Sequence, residues 1–183
     1  MTSKTLLIFA TLLTISSCSS KTSKTLGERK LTGTIERGKF DNDYMSMKII
    51  DGWTELTTTD ESQFLIIHKV KENFKPNIIF LSLDKKQYKD MYGYQTVEQY
   101  MNGLIEHNKA KPDYKLISPL EKVSIDKHIF YVCKFLLLKG DKEYQQSFYT
   151  TDIENYYLGL VATDDNRQLE PEVETTIKSI KFK

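Results

Sequence analysis

Reactive side chains are scarce in this 183-residue chain, which has two cysteines, Cys18 and Cys133, and three histidines, His68, His107 and His128. Two cysteines cannot build a disulfide framework, and no His-x-x-x-His, His-Glu-x-x-His, Cys-x-x-Cys, Gly-x-Ser-x-Gly or phosphate-loop spacing occurs. The common metal, nucleophile and nucleotide signatures are therefore excluded. Net charge is also close to nil, at a formal +1. A chain without a basic footprint is a poor ligand for nucleic acid, so no nucleic-acid partner is expected. The apolar run at residues 6–15 covers ten positions, half of the roughly 20 that a membrane-spanning helix requires. What remains is 39% apolar and 28% charged residues, the composition of one globular domain with a core, which fits neither disorder nor a multispan membrane protein.

The N-terminus carries an address. Lys4 precedes the short apolar run, and Ile15-Ser16-Ser17-Cys18 follows it. Positive residue, short apolar segment and small residues form the pattern of a signal peptide. The four residues resemble a bacterial lipobox, which implies cleavage after Ser17 and diacylation of Cys18. The alternative reading is an ordinary cysteine near a standard cleavage site. Ser19 follows in place of aspartate, which in the enterobacterial sorting rule it resembles favours the outer membrane. Residues 1–17 thus read as a lipoprotein signal peptide. Residues 18–39 hold Lys21, Lys24, Arg29, Lys30, Arg37 and Lys39 against Glu28 and Glu36 and are rich in Ser, Thr and Gly. This composition predicts a flexible, lipidated tether, either drawn to anionic head groups or simply a solvated spacer.

From residue 40 the apolar pattern predicts a single domain to residue 183. Period-two runs at 44–50, 63–71, 76–83, 114–123, 127–139, 142–152 and 155–163 predict seven strands. The last four are separated by so few residues that they must pair antiparallel. A capping pattern at Thr96 and Gln99 opens a helix whose Val97, Tyr100, Met101, Leu104 and Ile105 share one face. A second helix is expected at about 169–180, with Val173, Ile177 and Ile180 buried. The expected fold is α+β, an antiparallel sheet of about six to seven strands with one helix after the third strand and one at the C-terminus.

Two stretches at the ends of this domain resemble a known family. Tyr44-Met45-Ser46-Met47-Lys48-Ile49-Ile50 followed by Asp51-Gly52-Trp53 is similar to the entry strand and turn of the PsbP-like (Mog/PsbP) proteins, with Asp51 where proline is usual. Ile177-Lys178-Ser179-Ile180-Lys181-Phe182 resembles their closing helix and tail. The resemblance covers residues 40–183. It implies an α/β/α sandwich and, as in most members, a partner-binding or assembly role without catalysis or cofactor. Trp53 is expected to anchor one end of the core.

The remaining candidates are few. Cys133 alternates with one face of a strand-like run and reads as a core residue, and the histidines read as structural. Asp41-Asn42-Asp43 and Asp164-Asp165-Asn166 are oxygen-rich but lack the glycine and distal glutamate of a calcium loop, so they read as turns and no metal is expected. Tyr88, Tyr92 and Tyr94 lie in the connection before the first helix, with Tyr100 beyond them. Tyrosine is enriched at binding hot spots, so these three are the candidate binding residues; the competing reading packs them over the rim of the sheet. The expectation is a lipid-anchored envelope protein, facing the periplasm from the outer membrane, that binds another envelope protein and is not an enzyme. The alternative is a small-ligand or glycan binder using the tyrosine-rich segment at residues 88–100.

Overall fold

The computed structural model describes residues 31–70, 76–164 and 171–183. Eleven strands and three helices occur among them, in the order β1 (Thr34–Glu36), β2 (Lys39–Asp41), β3 (Met45–Lys48), β4 (Trp53–Glu55), β5 (Gln63–Lys69), β6 (Asn77–Asp84), α1 (Lys85–Tyr92), α2 (Val97–Lys109), β7 (Tyr114–Ile125), β8 (His128–Lys139), β9 (Lys142–Ile153), β10 (Tyr156–Asp164), α3 (Pro171–Lys178) and β11 (Lys181–Phe182). The fold is α+β. A seven-stranded sheet runs β4-β5-β6-β10-β9-β8-β7, and a four-stranded sheet runs β1-β2-β3-β11. Every strand pairing is antiparallel.

The centre of the seven-stranded sheet is buried on both faces, as its sequence dictates. Along β10, Leu158, Leu160 and Ala162 enter one core, and Tyr157 enters the other. Successive side chains of a strand point to opposite faces, so both faces need a cover. On one side lie the four-stranded sheet and α3, contributing Phe40, Met45, Met47, Val173 and Ile177 over Phe80, Phe130 and Leu160. On the other, α2 packs Val97, Tyr100, Met101 and Ile105 onto Cys133, Phe135 and Tyr157. Full burial of each such side chain contributes about 1.5–3 kcal/mol before entropy is counted.

Several elements differ from expectation. The strand predicted at residues 44–50 forms but joins the smaller sheet, and the short β4 takes its place at the edge of the larger one. One outer layer is therefore a mixture of sheet and helix, where the resemblance implied helices alone. The predicted tether boundary at residue 39 also falls inside structure. β1 and β2 form a hairpin in which Glu36 pairs with Lys39, and its two turn residues, Arg37 (φ 50°) and Gly38 (φ 71°), are both left-handed, as the twist of a two-residue hairpin requires. Ile35 packs on the core and Phe40 is buried in it, which is the apolar reason for the hairpin. Two helices follow the third predicted strand where one was expected, because α1 precedes α2. The closing helix ends at Lys178, and the chain then pairs Lys181 with Ser46 and Phe182 with Met45 as β11.

The expected anchor and turn chemistry are present. Trp53 is buried, and its Nε1 donates to Glu172 at 3.4 Å, while Lys69 Nζ reaches the same carboxylate at 2.6 Å. Asn42 Oδ1 accepts the amides of Tyr44 (2.9 Å) and Met45 (2.8 Å), and its Nδ2 donates to the Leu31 carbonyl. Asp41 meets Lys183 at 2.6 Å and Lys39 at 3.3 Å. Asp41 and Asn42 of this triplet are engaged in ion-pair and turn geometry. Of the second triplet, Asp165 and Asn166 lie outside the described residues. No described helix is long and apolar enough to cross a membrane.

Asp126, in the β7–β8 turn at φ 53°, pins the C-terminus by accepting the Phe182 amide at 3.0 Å, with Lys181 nearby at 3.4 Å. The backbone hydrogen bond from Phe182 is the main reason that its carboxyl titrates below the usual 3.8. A depressed folded-state carboxylate stabilises fully above the unfolded value and loses that contribution as pH falls through its own. Urea midpoints of the wild type and Asp126→Asn should therefore differ at pH 7 and converge as the pH is taken below the ordinary 3.8 and through the lowered folded-state value. Asparagine tolerates the left-handed backbone, so a gap that persists unchanged in acid would assign the effect to turn strain instead.

Candidate functional site

The three candidate tyrosines come together, although not on a loop. Tyr88 and Tyr92 stand one turn apart on α1, and Tyr94 sits in the short link to α2. α1 begins at Asp84, whose side chain accepts the Gln87 amide at 3.1 Å. It stops at Gly93, which is left-handed at φ 73° and whose amide bonds back to the Lys89 carbonyl. α2 then starts at Thr96, which accepts the Gln99 amide at 3.2 Å, and Gln99 Oε1 in turn accepts the Gln95 amide at 2.8 Å. These three caps within thirteen residues fold the segment back on itself and bring the rings into contact.

Five rings form a continuous cluster. Tyr88 meets Tyr92 at 5.7 Å and Tyr100 edge-on at 5.2 Å; Tyr92 stacks on Tyr94 at 5.5 Å; Tyr94 meets Tyr100 at 6.4 Å; and Tyr100 stacks on Tyr157 at 5.5 Å. Such contacts add about 0.5–1.5 kcal/mol each beyond simple burial. The cluster grades from core to surface. Tyr100 and Tyr157 are buried, Tyr88 and Tyr94 are half-buried, and Tyr92 is 40% exposed beside Met91 at 59%. Burial raises the Tyr88 and Tyr100 hydroxyls above their ordinary range, with the neighbouring phenols adding to it, so the rings are neutral and act by surface and hydrogen bonding.

Tyr94 is seated on the helix beside it. A Cβ at Gly103 of α2 would lie 2.0 Å from the Tyr94 hydroxyl and 2.5 Å from its Cζ. Glycine at this helical position therefore exists to admit the ring, at a propensity cost of about 1 kcal/mol relative to alanine. Of the three candidate residues, Tyr94 is thus a packing residue first, Tyr88 a bridge between α1 and α2, and Tyr92 the one that presents a ring face to solvent. Tyr157, the inner end of the cluster, lies in the strand that the sequence predicts at residues 155–163. At the sheet end of the cluster, Lys85 lies 5.7 Å from the Tyr157 ring centroid and bonds both Asp152 and the Glu154 carbonyl.

The other candidates are dispersed. His68 lies near the end of β5, His107 in the last turn of α2 and His128 at the start of β8 against Phe182, with ring centroids 3.9 Å apart. Desolvation lowers both His107 and His128, assisted by Lys111 and Lys127 respectively. Cys133 is fully buried beneath α2, where burial pushes its thiol up to about 12. Among the described residues no group of three or more His, Cys, Asp or Glu is placed to hold a metal ion. Cys18 lies outside the described residues.

An antiparallel seven-stranded sheet between a two-helix layer and a mixed sheet-and-helix layer defines an α+β domain with an aromatic cluster at one edge. No known protein family matches the chain, and no curated protein matches it. Solved structures do. The chain is similar to a Bacteroides thetaiotaomicron protein at 14% identity and a TM-score of 0.52, over 77% of this chain and 46% of that one. It thus spans about half the length of that protein. It is also similar to LpqN, involved in cell envelope biogenesis of Mycobacterium tuberculosis, at 11% identity and a TM-score of 0.51, over 75% of this chain and 82% of that one. At these identities the likeness is one of fold.

The packing of Tyr94 on Gly103 makes a sign-reversal prediction. Gly103→Ala should destabilise the otherwise wild-type domain by about 1 kcal/mol, since overpacking at about 1–3 kcal/mol outweighs the gain in helix propensity. In a Tyr94→Ala background the same change should stabilise, by up to about 1 kcal/mol; equal effects in both backgrounds would show that the ring does not sit there. Cys133 should react with a thiol-directed disulfide reagent only as fast as the domain unfolds, measured in a Cys18→Ser chain at pH 8. Rapid native-state labelling would contradict its burial.

Proposed function

We propose that this chain is a lipid-anchored protein of the bacterial cell envelope, held in the outer membrane through Cys18 and facing the periplasm, with a PsbP-like domain that binds or helps assemble another envelope protein without catalysis. The lipobox-like Ile15-Ser16-Ser17-Cys18 carries this reading. The shared fold with a protein described as involved in cell envelope biogenesis supports it. The dispersal of the three histidines and the burial of Cys133 fit a binding role, because nucleophilic and acid–base catalysis need such groups within hydrogen-bond reach of one another. Tyr92 and Met91 form the exposed apolar edge from which contact with a partner would begin, and an aromatic anchor suits the centre of an interface.

A second reading, a small-ligand or glycan site at Tyr88, Tyr92 and Tyr94, has the exposed Tyr92 ring in its favour. Tyr92→Ala separates function from packing here, since its exposed ring contributes less to stability than Tyr94.

The primary reading predicts that an alkyne fatty acid fed to cells will label the wild type and leave Cys18→Ala unlabelled. In-cell crosslinking should recover one protein in near-stoichiometric amount from wild-type membranes and lose it in Cys18→Ala. Labelling of the Cys18→Ala chain would sink the anchoring, and failure to recover any consistent protein would sink the protein partner.

A further inference from the structure

The charge of this chain is sorted along its length. Residues 18–48 and 181–183, which include β1, β2, β3 and β11, hold nine basic residues against four acidic, whereas residues 49–180 hold sixteen against twenty-one. A chain that sums to neutrality after Ser17 is therefore positive around the small sheet and negative elsewhere. Register gathers the folded part of that excess on one surface. Glu36, Lys39 and Lys48 stand side by side across β1, β2 and β3, and Thr34, Asp41, Ser46 and Lys181 form a second row two residues along. The row between them, Ile35, Phe40 and Met47, turns into the core, so both polar rows lie on the outer face of the sheet. Lys39, Lys48, Lys181 and Lys183 are exposed, and Arg37 is exposed at the hairpin tip. Asp41 is shared between Lys39 and Lys183. The β7–β8 turn beside β11 brings Asp126 and Lys127, whose charges cancel.

The position of this face says what it meets. The described chain enters through Leu31 and β1, the outermost strand of the same sheet. Thirteen residues separate Cys18 from Leu31, so on the proposed reading that Cys18 carries the lipid, at most about 45 Å of chain lies between bilayer and sheet. Lys21, Lys24, Arg29 and Lys30 lie on that link. So short a leash holds the face at high effective concentration beside the membrane, where even weak attraction suffices. A Lys or Arg close to an anionic leaflet is attracted to it, and the attraction fades within a Debye length of about 8 Å. The helical layer on the far side of the seven-stranded sheet stands two packing distances off, about 20 Å, too far for its acids to oppose the contact. None of the exposed large apolar side chains among the described residues belongs to the small sheet. The face thus lacks the apolar centre of a protein interface and suits a surface of head groups. We infer that the outer face of the four-stranded sheet docks on anionic lipid head groups of the membrane that holds the anchor, which turns the tyrosine cluster away from the bilayer. The orientation rests on the anchoring through Cys18; the attraction does not.

The test is co-sedimentation of residues 18–183, the form that cleavage after Ser17 leaves, carrying Cys18→Ser so that no lipid contributes. Vesicles of equal parts phosphatidylglycerol and phosphatidylcholine should carry the protein down, pure phosphatidylcholine should not, and high salt should release it. Joint Lys39→Gln and Lys48→Gln should weaken partition about tenfold. Joint Lys86→Gln and Lys89→Gln on α1, the same change in net charge on the opposite layer, should leave it unaltered. Asp41→Asn removes a negative charge and frees Lys39 and Lys183, so it should strengthen partition, and this gain does not depend on the lysine variants folding. Failure to partition into the anionic vesicles would overturn the inference. So would equal losses in the two lysine pairs, or an undiminished partition of the Lys39 and Lys48 variant, which would leave the attraction to the N-terminal link alone. Partition as expected in a protein whose Cys18 takes no fatty-acid label in cells would sink the anchor and leave the docking face standing.

Discussion

Everything in this fold follows from one constraint: the central strands of the seven-stranded sheet bury apolar side chains on both faces. An antiparallel sheet can leave one face to water, but β10, at its centre, turns Leu158, Leu160 and Ala162 one way and Tyr157 the other. Neither side can be left open, so the chain supplies two unlike covers. The N- and C-terminal segments combine into the small sheet and α3 on one face, and the segment between β6 and β7 folds into two helices on the other. That division explains why residues distant in sequence meet, for example Ser179, whose side chain accepts the Lys48 amide at 2.9 Å and ties α3 to β3.

The tyrosine cluster takes its meaning from the same constraint. α1 buries none of its residues and is held where it is by rings that grip α2 and β10. The exposed edge at Met91 and Tyr92 is therefore the outer end of a structural column, rigidly connected through Tyr94, Tyr88 and Tyr100 to the sheet. A rigid aromatic edge loses little entropy on contact, which favours binding.

Much of this was legible in the sequence. The long strands declare themselves by alternation, and the capped, one-faced α2 by its period, because in both the buried face is regular. The short elements do not. β1, β2, β4 and β11 have two or three residues each, too few to show a period, and exist because a neighbouring strand offers them a partner. α1 buries none of its residues; its local signals are the aspartate at one end and the glycine at the other, with two tyrosines four apart between them. The sequence alone therefore places Tyr88 and Tyr92 in a connection, and the ring contact of Tyr88 with Tyr100, like that of Tyr100 with Tyr157, depends on tertiary placement.

The small sheet has a mechanical consequence. The chain enters the described domain at Leu31, and between that point and the main core stand the Asn42 bond to the Leu31 carbonyl, the packing of Leu31 and Ile35, and a ladder of three residue pairs from Thr34 to Glu36. Tension drawn through the N-terminal segment would therefore be borne first by β1, the outermost strand of the lesser sheet. Peeling it away would extend the chain ahead of the core while β3, β11 and the whole seven-stranded sheet stayed in place. The hairpin would then behave as a fuse, yielding before the load reaches the seven-stranded sheet.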